Sequence, residues 1–206
     1  AHYEPNYQVV DTVAENSQKL EEIQNSPEVL ASRLRIAESE SSFDVMPGQQ
    51  AIGWIMGSET SSAKIRLAAT SILMKMPMES RWQVLEKLTS YPEDANDHNL
   101  PLMYWYAMEP LADVDPQRAL ALAMTAGENI PILREYMVRR LGSGKPAEAL
   151  ELLVGGLANA KDDAVRLTFL KGIRSAVAGQ KEVTLPEDWW KVYYELTEPK
   201  STSANF

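Results

Sequence analysis

The stretch that decides the fold is Ala63–Leu88, AKIRLAATSILMKMPMESRWQVLEKL. Its first half places Ile65, Ala68, Ala69, Ile72, Leu73 and Met76 at the i, i+3, i+4, i+7, i+8, i+11 spacing of one helix face. That predicts a helix over Ala63–Met76, stopped by Pro77, whose missing N–H cannot continue it. Arg81–Ser90 repeats the pattern, with Trp82, Leu85 and Leu88 inward, so the stretch reads as a helical hairpin closed by Met76-Pro77-Met78.

The hairpin recurs downstream. Leu100, Met103, Tyr104, Ala107, Met108 and Leu111 form one stripe, with Pro110 expected to kink or end it. Asp115-Pro116 is an N-cap followed by proline at the first helical position, and Ala119, Leu122, Ala123 and Ala126 continue to a stop expected at Gly127. A third pair spans 131–141 and 146–159 around a Gly142-Ser143-Gly144 turn, and a further helix covers about 162–178. First helices begin near Ser62, Asn99, Ile130 and Lys161, steps of about 37, 31 and 31 residues, a period that marks stacked helical hairpins. No hairpin buries its apolar face alone, so each stacks on its neighbours. The expected fold is all-α, a HEAT-like right-handed α-α superhelix. Strand signals are weak, and only Lys181–Leu185 could be extended.

The expected organisation is an N-terminal helical extension over 1–45, the repeat domain over 46–198 and a disordered tail over 199–206. The extension carries a polar helix, Val9–Gln24, a second helix from Ser26-Pro27 and a polar break at Ser39–Asp44. Near the other end Pro186 opens a short helix crowded with Trp189, Trp190, Tyr193 and Tyr194.

Composition narrows the function. The 206 residues include 45% hydrophobic and 24% charged, ordinary for a globular chain. The net charge of −9 sets the field against phosphate backbones, so nucleic acid is not an expected partner. With no cysteine there is no disulfide, no thiolate metal site and no covalent c-type haem within the chain. No segment approaches the ~20 apolar residues of a membrane span, and no signal-peptide pattern is read.

The series EDANDHNLPLMYWYAMEPL at Glu93–Leu111, DPQRALALA at Asp115–Ala123 and IPILREYMVRRL at Ile130–Leu141 resembles the helical segment of a family of secreted planctomycete and verrucomicrobial proteins, the membrane-bound dehydrogenases or haem-binding CxxCH proteins. Met76–Leu88 and Gly179–Trp189 also fit, so the resemblance covers roughly Ser62–Trp189. It implies HEAT-like repeats between a dehydrogenase-like propeller and a cytochrome c domain, a periplasmic or extracellular setting, and a linking role among the domains or subunits of a larger envelope redox protein. No position here matches the family's haem-ligating or catalytic residues, so none is carried over, and no cofactor is expected.

The candidate sites follow from residue chemistry. Glu93, Asp94, Asn96, Asp97, His98 and Asn99 make a polar cluster, with Asp94, Asp97 and His98 as metal candidates. Its spacing is not that of an EF-hand loop, and capping by Asp97 or Asn99 of the helix at Leu100 explains it more simply. Tyr104, Trp105 and Tyr106 are consecutive and cannot share a face; packing between repeats is expected of them rather than a stacking platform. Arg134, Arg139 and Arg140 share a helix with Glu135, as a solvated face or an anion site, and Arg134 could pair with Glu109. Trp189 and Trp190 cap the last repeat or form a docking patch. A non-catalytic scaffold using Trp105, Arg134, Arg140, Trp189 and Trp190 as its surface is the leading reading. The alternative is a ligand-binding protein or enzyme with a concave-face site near Asp97, His98, Trp105 and Arg134, and a calcium-stabilised scaffold is the third.

Overall fold

The computed structural model describes residues 62–144 and 146–198, together with Ser26, Glu28, Val29 and Ser32. Every regular element among the described residues is helical, and Lys181–Leu185 forms no strand. Val9–Gln24, Ser39–Asp44 and the tail from Pro199, for which the sequence sets expectations, lie outside the described residues. Glu28, Val29 and Ser32 are helical, and the Val29 N–H donates to the Ser26 hydroxyl at 3.4 Å. The chain forms two compact units that divide between Ala107 and Met108. That division falls inside the segment 46–198 rather than at either of its ends.

The first unit holds α1 (Ala63–Leu73), α2 (Met78–Leu88), a 3₁₀ turn (Pro92–Asn96) and most of α3 (Leu100–Met108). Ile65, Ala68 and Ile72 pack together with Met76 against them. The helix ends at Leu73, three residues before the expected Met76. Arg81 shows why: its buried guanidinium donates to the carbonyls of Met74 (2.7 Å), Met76 (3.3 Å) and, at the end of α3, Ala107 (3.3 Å). One side chain thus satisfies carbonyls that two helix ends leave orphaned. Burial pulls the Arg81 pKa below its ordinary value.

The second unit runs through α4 (Leu111–Val114), α5 (Pro116–Asn129), α6 (Pro131–Gly142), α7 (Pro146–Ala158), α8 (Asp163–Val177) and α9 (Asp188–Thr197). Pro110 does end the preceding helix, because α4 restarts immediately after it. Asp115 caps α5 by accepting the Arg118 N–H at 2.9 Å, and Asp162 caps α8 by accepting the Val165 N–H at 2.9 Å. Gly127 is not a stop. It lies buried inside α5, where a Cβ would stand 2.7 Å from that of Arg134, so its missing side chain serves the packing of α6 on α5. Gly142 likewise belongs to α6 rather than to a turn: a Cβ there would meet the Gly172 carbonyl oxygen at 2.5 Å. Two glycines let α6 and α8 approach backbone to backbone.

Contacts in this unit run both between neighbours and between alternate helices. α5 packs on α6 and α7 on α8, while α4 packs on α6, α6 on α8 and α7 on α9. Leu133, Met137, Leu153, Phe169 and Val154 close the core between them.

Candidate functional site

The polar cluster predicted at Glu93–Asn99 divides into two structural jobs. Asp97 Oδ1 accepts the N–H groups of Asn99 (2.8 Å) and Leu100 (2.9 Å) and so caps α3. Those two bonds hold its carboxyl below the usual carboxylate range. Asp94 turns inward and is 1% exposed. It receives Arg66 Nε at 2.7 Å and Nη2 at 2.5 Å, and the Tyr104 hydroxyl donates to it at 2.7 Å. Arg66 also reaches Glu93 at 3.3 Å and lies 4.1 Å above the Tyr91 ring.

Burial lowers the Arg66 pKa, but the hydrogen bond and charge of Asp94 outweigh it and the guanidinium ends above its ordinary value. Burial, then the bond to Asp94, pushes the Tyr104 phenol far above the usual range, so it remains a donor. With its oxygens shared between a bidentate arginine and a tyrosine, Asp94 is committed to a structural network. Among the described residues no group of three or more histidines and carboxylates is placed to hold a metal ion. Asp94, Asp97 and His98 are therefore not gathered into one ligand set, because two of the three face different structural partners.

The other expected surface residues separate too. Trp105 is 8% exposed and contributes its ring to packing rather than to an open surface. Arg134 does not pair with Glu109; its side chain lies against Gly127. Glu109 instead faces Arg140 Nε at 3.5 Å, and Arg140 Nη2 holds both oxygens of Asp113 at 2.9 and 2.8 Å. Arg140 is thus occupied by two carboxylates within its own unit. Asp97, His98 and Trp105 belong to the first unit and Arg134 to the second.

The surface that does stand open is α9. Val192 is its buried residue and fixes it to the unit. Trp190, Tyr193 and Tyr194 are 55%, 42% and 56% exposed, and Leu196 on the same helix is exposed too. Their rings touch one another: Tyr193 stands edge-on to Trp190 at 6.1 Å and to Tyr194 at 5.7 Å between centroids. Trp189 leans on Tyr193 at 6.2 Å. Edge-to-face contacts hold this group as a preformed slab. Glu187, Asp188, Glu195 and Glu198 belong to the same segment, against one Lys191.

A second feature is an open groove of about 860 Å³ flanked by α5 and α7. Leu120, Met124, Leu152 and Phe169 supply apolar walls, and Glu148 and Glu151 line it as well. Among the described residues its lining includes no histidine, serine, lysine or arginine. Gly156 lets the Phe169 ring lie directly against the α7 backbone, whereas a Cβ on Gly155 would meet nothing within 4 Å.

No family model, no curated protein and no solved structure matches the chain.

Sequence reasoning missed the Arg66–Asp94–Tyr104 network. A signal was present, since Arg66 and Thr70 sit at i and i+4 beside the apolar stripe of α1, but its partners come from elements about 28 and 38 residues away. It also missed Arg81, because carbonyl acceptors carry no sequence signature.

Proposed function

We propose that this chain is a non-catalytic interaction module built of stacked HEAT-like hairpins, which docks a folded protein partner on the aromatic face of α9. The supporting observation is that face itself: three large aromatics more than two-fifths exposed, held edge to face on one helix. Exposed aromatic groups of this size mark interaction sites, and tryptophan and tyrosine dominate binding hot spots. The acidic residues of this segment and the net charge of −9 favour a partner with an apolar centre and a lysine- and arginine-rich rim. The alternation of contacts between adjacent and next-but-one helices supports the stacked-hairpin architecture.

The residues quoted from Glu93–Leu141 support placing the module in a larger periplasmic or extracellular redox protein, as a segment of it or a subunit beside it. Chemistry then lies with the partner, and the acidic groove beside α7 is a binding rather than a reacting surface.

The test is a photo-crosslinking amino acid at position 190, expressed in the native cell, with the captured protein identified and then purified. A redox-domain partner whose complex dissociates faster in salt and is weakened roughly 30-fold or more by Trp190→Ala with Tyr194→Ala supports the reading. Crosslinks only to lipid or to a second copy, or a complex indifferent to the double substitution, overturn it.

A further inference from the structure

We infer that the second unit carries an anion site, in the cleft between α6 and α8, that takes a phosphomonoester. The cleft encloses about 310 Å³, at the small end of the range for ligand pockets. Arg139 enters it from α6, and Lys171 and Arg174 from α8, with Glu135 as the one carboxylate among its described lining residues. Three cations against one anion leave a local charge of about +2 in a chain whose net charge is −9.

Like charges gathered in one cleft repel one another, and here Glu135 offsets only part of the repulsion. Arg140, the neighbour of Arg139, is neutralised by Asp113 and Glu109. No ion pair to a described carboxylate quenches Lys171 or Arg174, and Arg139 lies over the Tyr136 ring, 5.0 Å from its centroid. A ring beneath a guanidinium takes up none of its N–H donors as hydrogen bonds, so they stay open to a ligand. The two helices come this close because Gly172 has no side chain where Val138 approaches. The glycine contact therefore assembles the cleft from cations that are separate in sequence.

A phosphomonoester carries about −1.5 to −2 charges near neutral pH and three acceptor oxygens, which matches the cleft in both charge and donor count. A phosphodiester carries a single charge and leaves one cation unmatched. The net charge of the whole chain also disfavours a long polyanion, whose remaining phosphates would meet acidic surface.

The test is NMR titration of the intact chain with inorganic phosphate and with phenyl phosphate, against sodium chloride at matched ionic strength. The expected result is saturable one-to-one binding, with backbone shifts concentrated at Arg139, Lys171, Gly172 and Arg174. Lys171→Ala and Arg174→Ala should each weaken it about tenfold, and Lys161→Ala, outside the cleft, should not. All three side chains are exposed, so the variants should keep their melting temperature. Unsaturable shifts, equal shifts in chloride, or unchanged affinity in the Lys171 and Arg174 variants overturn the site. Binding of heparin or anionic vesicles with phosphate silent also overturns it, in favour of a polyanion surface.

Discussion

Asp94 illustrates how a residue chosen for its chemistry can be consumed by structure. Breaking a buried, hydrogen-bonded pair strands the surviving charge, which costs about 3–5 kcal/mol. Asp94→Asn and Arg66→Met should each lower unfolding free energy by that order in urea titrations, while Arg66→Met with Asp94→Leu should recover a large part of the loss. Tyr104 adds a pH dependence with a definite sign. Its folded pKa lies above the ordinary 10.0, so its contribution is complete below pH 10.0 and drains away at higher pH, as the unfolded chain gains stability by releasing the proton. Stability measured from pH 8 upward should fall less steeply in Tyr104→Phe. Asp97 has the opposite sign: its folded pKa is depressed, so its contribution is present above the ordinary 3.8 and is lost as pH falls below it. Asp97→Ala should cost roughly 1 kcal/mol at neutral pH through the lost cap.

At the scale of an element, the paired glycines of α7 make the sharpest contrast. Both occupy a helix interior, where alanine is favoured over glycine by about 0.8–1 kcal/mol. Gly155→Ala meets open space and should raise the melting temperature. Gly156→Ala drives a methyl into the Phe169 ring, so the helix preference is outweighed and stability should fall by about 1–3 kcal/mol. Calorimetry on the two single variants decides this, and equal effects would falsify the packing described for α7 and α8. Gly142→Ala should also destabilise, because the obstructing atom is a backbone oxygen that no rotamer change can move. The aromatic helix α9 belongs to this scale as well. It is anchored through Val192, so Trp190→Ser with Tyr194→Ser should leave the melting temperature near that of the unaltered chain while removing fluorescence of a surface-binding apolar dye.

For the whole molecule, charge and aromatic exposure oppose each other. A net charge of −9 keeps copies apart, whereas the α9 slab favours association. Raising salt screens the repulsion within about 8–10 Å at physiological strength. Self-association measured by sedimentation should therefore grow with salt, and the α9 double substitution should abolish that growth. A basic-rimmed partner should show the reverse, binding more weakly as salt rises. The two trends in one buffer series separate a specific partner from simple apolar stickiness.

The sequence by itself determined the helical character, the placement of most helix starts and the inward stripes, because these depend on spacing and capping within one or two turns. Asp115-Pro116, Asp97 before Leu100 and the break at Pro110 could be read from local chemistry alone. The α9 aromatics were also visible, as an excess of apolar surface for one short helix. Only the tertiary structure decided which polar residues remain available. Asp94 and Arg66 neutralise each other across 28 positions, and Arg140 meets Asp113 across 27. Arg139 is left to share a cleft with Lys171 and Arg174. Gly127, expected as a helix stop, and Gly142, expected in a turn, are instead points where helices touch. The physical reason is range: a cap or a stripe is a contact between near neighbours in the chain, whereas ion pairing and close helix approach depend on which distant elements the core brings together.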